Sequence, residues 1–248
     1  MQEHRQKSVL LCLHGWGASK ESFTELRAAL EGSDIELHTP DLPGFGDEPE
    51  PKHGFTNDDY VDFVLNYIKE NISGDYMLLS HSLGGRISIK LATRPNAQLP
   101  THLFLCAPAG IRHPRHLKRV FGLILSKTGK FFLSIPGLKV LKPIGKKLLY
   151  RLVRVHDYEK VSGVMRQTLI NVTKEDLRDH LKDIPVETDL FWGTDDGVVP
   201  YSDAKIMEKE IPRATLHTYP KVHHRVHRDR ANEIAVVIRE RFAANSGK

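Results

Sequence analysis

Cysteine is scarce in this sequence. The 248 residues contain only Cys12 and Cys106, and each lies inside an apolar run. Two isolated cysteines exclude a disulfide framework as the source of stability, and they give no pattern typical of a zinc site. We therefore expect both thiols to be reduced and buried in the core.

Long hydrophobic runs are also missing. No stretch approaches the ~20 uninterrupted apolar residues that a membrane-spanning helix requires. The apolar run Val9–Leu13, which follows a polar start, is too short for the core of a signal peptide. With 40% hydrophobic and 27% charged residues, the composition is that of an ordinary globular protein. These features predict a cytoplasmic protein with one large core and room for an inserted subdomain.

Acidic residues are nearly absent from one part of the chain. Residues 111–174 contain fifteen Lys and Arg but only Asp157 and Glu159, a formal charge of +13, whereas the whole chain carries +5. The remainder of the chain therefore carries −8. Opposite signs in two regions indicate two structural units, and we expect the basic unit to meet an anionic partner.

Outside residues 111–174, short apolar runs alternate with stretches of helical periodicity. This alternation is typical of βαβ units and predicts an α/β fold with a mostly parallel sheet. The pattern stops at Ile111. We therefore predict a core from residues 1–110 and 175–248, an inserted basic helical cap at 111–174, and a helix that starts at Thr173. The predicted strands lie at 8–13, 35–39, 76–80, 103–107, 186–192 and 214–219.

The strand predicted at 76–80 ends in small residues and leads into a helix predicted to reach Thr93. This layout is typical of a nucleophile elbow, a tight strand-to-helix turn that exposes a serine at the carboxyl edge of a parallel sheet. Ser82 occupies the turn, and the small residues Ser80 and Gly84 stand two positions to either side. Ser82 is therefore the candidate nucleophile. The alternative is a serine that only caps the helix.

A nucleophilic serine needs a base within hydrogen-bond reach and a third group that orients the base. In an open parallel sheet, these groups come from loops at the carboxyl ends of other strands. The loop after the strand at 186–192 offers Asp195 and Asp196. The loop after the last strand offers the candidate bases His223, His224 and His227. The order Ser, Asp, His is the one this architecture uses, but the spacing leaves the choice within each loop open.

Four motifs carry a family resemblance. They resemble, in chain order, the oxyanion loop, the D-x-P-G-x-G loop, the elbow and the acid loop of serine hydrolases of the α/β-hydrolase superfamily. The four motifs are His14–Gly17, Asp41–Gly46, Ser80–Gly85 and Gly193–Pro200. In the family pattern the acid lies three residues after the glycine of its loop, which implies Asp196. The family's histidine precedes an acidic residue by five positions, which implies His224 followed by Asp229.

The resemblance implies a role for each residue of the site. Ser82 would attack an acyl carbonyl, His224 would act as general base and acid, and Asp196 would orient the imidazole. The backbone N–H groups of Trp16 and Leu83 would form the oxyanion hole. The implied activity is hydrolysis of carboxylic esters or thioesters through an acyl-enzyme, without a cofactor or a metal ion.

Some features depart from the family pattern or stand outside its chemistry. Ser80 replaces the glycine that usually begins the elbow motif. Few residues precede the first predicted strand, so we expect the usual N-terminal hairpin to be missing and the sheet to have about six strands, the first at or near an edge. His14 and Asp41 are expected to bond loop backbone, and His81 to pack in the core.

Two other functions fit the same motifs. Carbon–carbon bond hydrolases of this fold share the Ser–Asp–His set, and a non-catalytic ligand-binding protein could have kept the fold. Dehalogenases and epoxide hydrolases carry aspartate at the nucleophile position, so Ser82 argues against both. Labelling by a fluorophosphonate probe would distinguish an enzyme from a binding protein.

The basic cap raises the question of a partner. His14–Gly17 and Asp41–Gly46 also resemble the corresponding loops of esterases that cleave pimeloyl-carrier-protein methyl ester, whose substrate is attached to an acidic protein. An acidic carrier protein is therefore one expected partner, and an anionic lipid surface is another. A solvated basic face without a partner is the simplest alternative. Nucleic acid is not expected, because aromatic residues are not interleaved with the charges.

Overall fold

The computed structural model describes residues 8–113 and 163–245. Its strands are β1 Ser8–Leu13, β2 Ile35–His38, β3 Tyr76–His81, β4 His102–Cys106, β5 Glu187–Gly193 and β6 Ala214–Tyr219. They form one sheet in the order β2-β1-β3-β4-β5-β6, and every neighbouring pair is parallel. The prediction of an α/β fold with about six strands is confirmed, with β2 at one edge and β1 beside it.

Helices alternate with these strands along the chain. They are α1 Thr24–Ala29, α2 Asn57–Asn71, α3 Leu83–Ala92, α4 Gly163–Lys174, α5 Arg178–Leu181, α6 Tyr201–Glu210, α7 Val226–Asp229 and α8 Ala231–Asn245. A capping box starts α2, in which the Thr56 hydroxyl accepts the Asp59 N–H and the Asp59 carboxylate accepts the Thr56 N–H. Within the two described ranges, no helix is both long and apolar enough to cross a bilayer.

The two central strands, β3 and β4, are buried along their whole length, and β1 and β5 are buried except at their first residue. Every residue of β3 and β4 is buried, whereas β2 and β6 at the two edges contain half-exposed and exposed residues. Parallel strands covered by helices on both faces carry continuous apolar runs, which is why these runs were visible in the sequence. Cys12 and Cys106 are buried free thiols, as expected.

Most of the predicted cap, residues 114–162, lies outside the described residues, so the cap and the domain boundaries remain predictions. Its last part forms α4, which is bonded to the loop before α2. The Phe55 N–H donates to Thr168 Oγ1 at 3.0 Å, and the Asn171 side-chain amide donates to Gly54 O at 2.9 Å. The chain leaving the cap region is therefore fixed to the core through this loop.

The predicted start of a helix at Thr173 is wrong. Helix α4 continues through Thr173 to Lys174, and the Thr173 hydroxyl donates to Leu169 O at 2.6 Å. This bond to a carbonyl four residues earlier is typical of a threonine inside a helix, not of one that caps it. Helix α5 follows after a break of three residues and is short.

Candidate active site

Ser82 lies between β3 and α3 in a backbone conformation that few side chains adopt. Its φ is 52° and its ψ is −107°, and such a conformation costs a residue other than glycine roughly 1–3 kcal/mol. The helix begins very close to its neighbours. A Cβ atom on Gly84 would lie 2.2 Å from Leu13 O, and one on Gly85 would lie 2.3 Å from Pro108 Cβ. The turn is therefore the tight strand-to-helix elbow that the small residues predicted.

Ser82, His224 and Asp196 meet at the carboxyl edge of the sheet. His224 Nε2 lies 3.1 Å from Ser82 Oγ, and His224 Nδ1 lies 2.8 Å from Asp196 Oδ2. An ionised carboxylate only accepts hydrogen bonds, so Nδ1–H is the donor and Nε2 is free to accept the serine hydroxyl. The Asp196 side chain is fully buried, whereas that of His224 is 18% exposed. The arrangement therefore presents an accessible serine hydroxyl and imidazole, with a buried carboxylate behind them.

The two acidic residues of the β5–α6 loop have different surroundings. Asp196 Oδ1 accepts the N–H groups of Val198 at 2.7 Å and Val199 at 2.9 Å, while its other oxygen faces His224. Asp195 is exposed, and its carboxylate accepts the hydroxyl of the neighbouring Thr194. Of the two carboxylates, only that of Asp196 reaches the His224 imidazole. The two bonds from the backbone N–H groups of Val198 and Val199 hold the carboxylate in this position.

The three histidines that follow β6 also differ in their burial and in their hydrogen-bond partners. His223 is exposed and its ring bonds Asp195 O at 2.9 Å, and His227 is buried with its ring 2.9 Å from Ser22 Oγ. Among the three, it is therefore His224 that contacts both Ser82 and an acid. Asp229, which the family pattern places five residues later, is exposed on the short helix α7, away from these contacts.

The backbone N–H groups predicted for the oxyanion hole lie on two loops that are bonded together. The Gly84 N–H donates to His14 O at 3.1 Å, which fixes the start of α3 against the loop after β1. Within residues 8–113 and 163–245, no acceptor is bonded to the N–H of Leu83 or of Trp16. The Trp16 ring packs edge-on against Phe45, with ring centroids 4.9 Å apart.

His14 and Asp41 bond loop backbone, as the sequence predicted. The His14 Nδ1–H donates to Gly15 O, and its Nε2 accepts the Leu42 N–H, each at 2.9 Å. Burial lowers the pKa of the His14 imidazole, which favours the neutral ring that these two bonds require. The Asp41 carboxylate accepts the N–H groups of Lys20 at 2.6 Å and Asp47 at 3.0 Å.

Ser80 fits into the elbow without a strained backbone of its own. It is the last residue of β3 to pair with both neighbours, opposite Leu13 on β1 and Leu105 on β4. Its side chain is fully buried, and no described residue gives its Oγ a hydrogen-bond partner. The serine in place of glycine is therefore tolerated sterically but leaves a hydroxyl unpaired.

From the sequence His81 was expected only to pack in the core, yet its ring lies beside that of His224 with 4.7 Å between centroids. Its ring also packs on His227, with 4.0 Å between centroids. His227 and its partner Ser22 are 205 residues apart. No local pattern in a single sequence signals such a contact. In the described part of the chain, this cluster included, no group of three His, Cys, Asp or Glu residues is placed to hold a metal ion.

The sequence is similar to those of known hydrolases. Residues 10–237 match the Alpha/beta hydrolase family. Over 234 residues the chain is 28% identical to a pimeloyl-[acyl-carrier protein] methyl ester esterase from Shewanella woodyi, and the match covers 88% of each chain.

Solved structures with the same fold include an esterase from Exiguobacterium antarcticum, with a TM-score of 0.70 at 21% identity over 94% of this chain and 91% of the other. A meta-cleavage product hydrolase from Pseudomonas fluorescens gives a TM-score of 0.68 at 20% identity, covering 96% of this chain and 91% of the other. At these identities the likeness extends to the fold. It does not separate one reaction from the other.

Proposed function

The chain belongs to the alpha/beta hydrolase family, and from that membership we propose that it is a serine esterase that cleaves carboxylic esters or thioesters. The observation that carries the proposal is the pair of contacts on one imidazole. His224 lies 3.1 Å from the Ser82 hydroxyl and 2.8 Å from the Asp196 carboxylate. This is the arrangement that activates a serine for attack on an acyl carbon.

In the proposed reaction, Ser82 Oγ forms a bond to the acyl carbon as its proton moves to His224 Nε2. The imidazolium then gives that proton to the leaving alcohol or thiol as the acyl–leaving-group bond breaks, which leaves an acyl-enzyme. In the second half, the same imidazole takes a proton from water as the water oxygen bonds to the acyl carbon. The imidazolium then returns that proton to Ser82 Oγ as the acyl–Oγ bond breaks, which releases the acid and free Ser82. Asp196 holds the ring orientation and stabilises the imidazolium in both halves.

The oxyanion of each tetrahedral intermediate would be bound by the backbone N–H groups of Leu83 and Trp16. Donors aimed at developing charge commonly supply the largest single contribution to such catalysis. The proposal is supported by the position of Leu83 directly after the nucleophile and by the bond from Gly84 N–H to His14 O that joins the two loops. Neither donor is taken by a described acceptor.

For the substrate, we propose an acyl ester attached to an acidic carrier protein. The name of the Shewanella woodyi relative supplies the acyl-carrier class, and the formal charge of +13 on residues 111–174 supplies a surface of matching sign. An anionic lipid surface is the competing partner for the same charges.

The first experiment tests the enzyme. A panel of nitrophenyl esters from acetate upward, run on the wild type and on Ser82→Ala, should show hydrolysis that the variant loses by several orders of magnitude. A fluorophosphonate probe should label the wild type and not Ser82→Ala. Equal rates in the two proteins, or no labelling of Ser82, would contradict the esterase. Turnover of a carbon–carbon bond substrate with no ester turnover would favour the alternative hydrolase.

The second experiment tests the carrier. Hydrolysis of a carrier-bound methyl ester should exceed that of the same acyl group on a small thiol, and the advantage should fall steeply as salt rises. Charge reversal at Lys146 and Lys147 should remove much of that advantage. The matched control reverses the charges of Lys69 and Lys209, which are exposed and lie outside the cap. This control should keep the rate advantage of the carrier-bound ester. Retention on anionic vesicles without any carrier preference would favour lipid.

A further inference from the structure

Three histidine rings pack together behind the proposed nucleophile. His81 lies between the other two, with ring centroids 4.7 Å from His224 and 4.0 Å from His227. His81 is 6% exposed and His227 is 1% exposed. The mechanism proposed above uses His224 alone, so two buried imidazoles beside it have no assigned role.

His81 is bonded to the loop that carries the base. Its Nε2–H donates to the main-chain carbonyl of His224 at 2.9 Å. A hydrogen bond to the main-chain carbonyl of His224 restrains the backbone of that residue. It therefore limits the positions that the His224 imidazole can reach. His81 directly precedes Ser82, so the proposed nucleophile and this anchor belong to one short segment of chain.

His81 also contacts the loop that carries the proposed oxyanion donor. A Cβ atom built on Gly15 would lie 2.8 Å from His81 Nδ1 and 3.2 Å from Ser82 Cβ. Gly15 therefore packs directly on the His81 ring, one residue before Trp16. The Nδ1 atom is buried without a hydrogen-bond partner among the described residues, as fits a ring whose proton is on Nε2.

The surroundings hold the His81 ring neutral and in place. Burial, followed by the neighbouring His227 and His224, lowers its pKa well below the usual range, and His14 acts in the same direction. On its other face, His227 is fixed by the 2.9 Å bond to Ser22. The His81 ring thus packs against His227 and directs its only N–H donor at the His224 carbonyl.

From these contacts we propose that His81 is a positioning residue, which holds the His224 loop and the Gly15 loop at a fixed distance from Ser82. The proposal rests on the esterase function proposed above. It assigns His81 no contact with the substrate. It differs from simple packing because it requires the Nε2–H donor, not only the volume of the ring.

Two variants separate the donor from the volume. His81→Phe keeps a ring of similar size and removes the donor, whereas His81→Gln places an amide N–H near the position of Nε2. For His81→Phe we expect kcat to fall about tenfold to a hundredfold with KM within about twofold, since misplacement of catalytic groups by about 1 Å costs that much. His81→Gln should recover most of the loss.

Fluorophosphonate titration shows whether the variants remain folded. In His81→Phe the fraction of Ser82 finally labelled should match the wild type, while the rate of labelling falls in step with kcat. A wild-type kcat in His81→Phe would overturn the inference, and so would equal losses in His81→Phe and His81→Gln. A reduced labelled fraction with an unchanged rate would also overturn it. Absence of labelling in the wild type would instead overturn the proposed esterase and this inference together.

Discussion

The His14 imidazole accepts the Leu42 N–H at 2.9 Å and so joins the loop after β1 to the loop after β2. The two residues are 28 positions apart in the chain. Because the first loop carries Trp16, the bond fixes the main chain of a proposed oxyanion donor from outside the site. The ring is fully buried, so neither water nor a nearby side chain can readily replace it.

Removing that acceptor should reduce both stability and activity. His14→Phe leaves the buried Leu42 N–H unpaired, which costs about 1–3 kcal/mol, and it loosens the loop that positions Trp16. We expect a lower urea midpoint and a fall in kcat of about tenfold or more. His53→Phe, at an exposed histidine, is the matched control. If kcat per folded molecule in His14→Phe equals that of the wild type, the loop does not depend on this bond.

His227 should make the folded protein sensitive to acid. Burial, followed by the nearby His224 and Arg228, lowers its pKa from 6.5 to about 3; Glu25 opposes this and Arg225 adds to it. Between those values the unfolded chain binds a proton that the native state does not. Stability should therefore fall as pH drops below 6.5, by about 1.4 kcal/mol per pH unit for this one group.

Urea unfolding at several pH values between about pH 7 and pH 4 measures this dependence. His227→Gln should show a shallower dependence than the wild type, because one proton no longer distinguishes its folded and unfolded states. His81 contributes in the same direction and remains in that variant. Equal slopes in the two proteins would show that His227 is not held neutral.

Ser80→Ala should stabilise the protein. The variant removes a buried hydroxyl that has no described partner, and burial of an unpaired hydroxyl costs about 1–3 kcal/mol. Ser22→Ala provides the comparison of opposite sign, because it removes the hydroxyl bonded to His227 and should destabilise by about 1 kcal/mol. Thermal unfolding of both variants beside the wild type measures the two effects. A loss of stability in Ser80→Ala would mean that its hydroxyl is paired after all.

Asp189 on β5 should contribute strongly to the stability of the folded protein. Its carboxylate accepts bonds from His102 at 2.8 Å and His217 at 2.7 Å, and two from the Arg241 guanidinium at 2.8 and 3.1 Å. Burial alone would raise its pKa, but these donors hold it well below the usual range. The charge therefore persists in acid and ties β4, β6 and α8 to β5.

Asp189→Asn should lower the free energy of unfolding by about 2–3 kcal/mol. Breaking a fully buried ion pair would cost more, but the Arg241 side chain is a third exposed and can be hydrated. The free energy of unfolding from urea titration measures it. Asp183→Asn, at an exposed aspartate, should change it little. Equal free energies of unfolding for the two variants would contradict the proposed contribution of the Asp189 contacts to stability.

Local patterns were enough to predict the sheet and the elbow. Strands buried on both faces have continuous apolar runs, and the small residues around Ser82 follow from the close approach of Gly84 to Leu13 O. The family pattern also selected Asp196 and His224 from their neighbours, and the structure brings those two side chains and Ser82 together. Their catalytic roles remain to be tested by the experiments above.

Contacts between distant segments could not be predicted in this way. The Ser22–His227 bond and the Asp189 cluster each join residues whose positions depend on the finished fold, and a single sequence contains no signal for such pairs. The helix start at Thr173 was misplaced for a different reason. A threonine followed by acidic residues has the pattern of a cap, but the hydroxyl of Thr173 bonds backward inside α4.

The conformation of Ser82 has a consequence for how this position evolves. With φ at 52°, glycine would fit there with less strain than serine. A Ser82→Gly protein should therefore be more stable than its parent while losing the proposed nucleophile. Mutation and selection for folding alone would favour glycine at this site. Persistence of serine there in a lineage would thus mark continued selection for chemistry, readable from sequences without an assay.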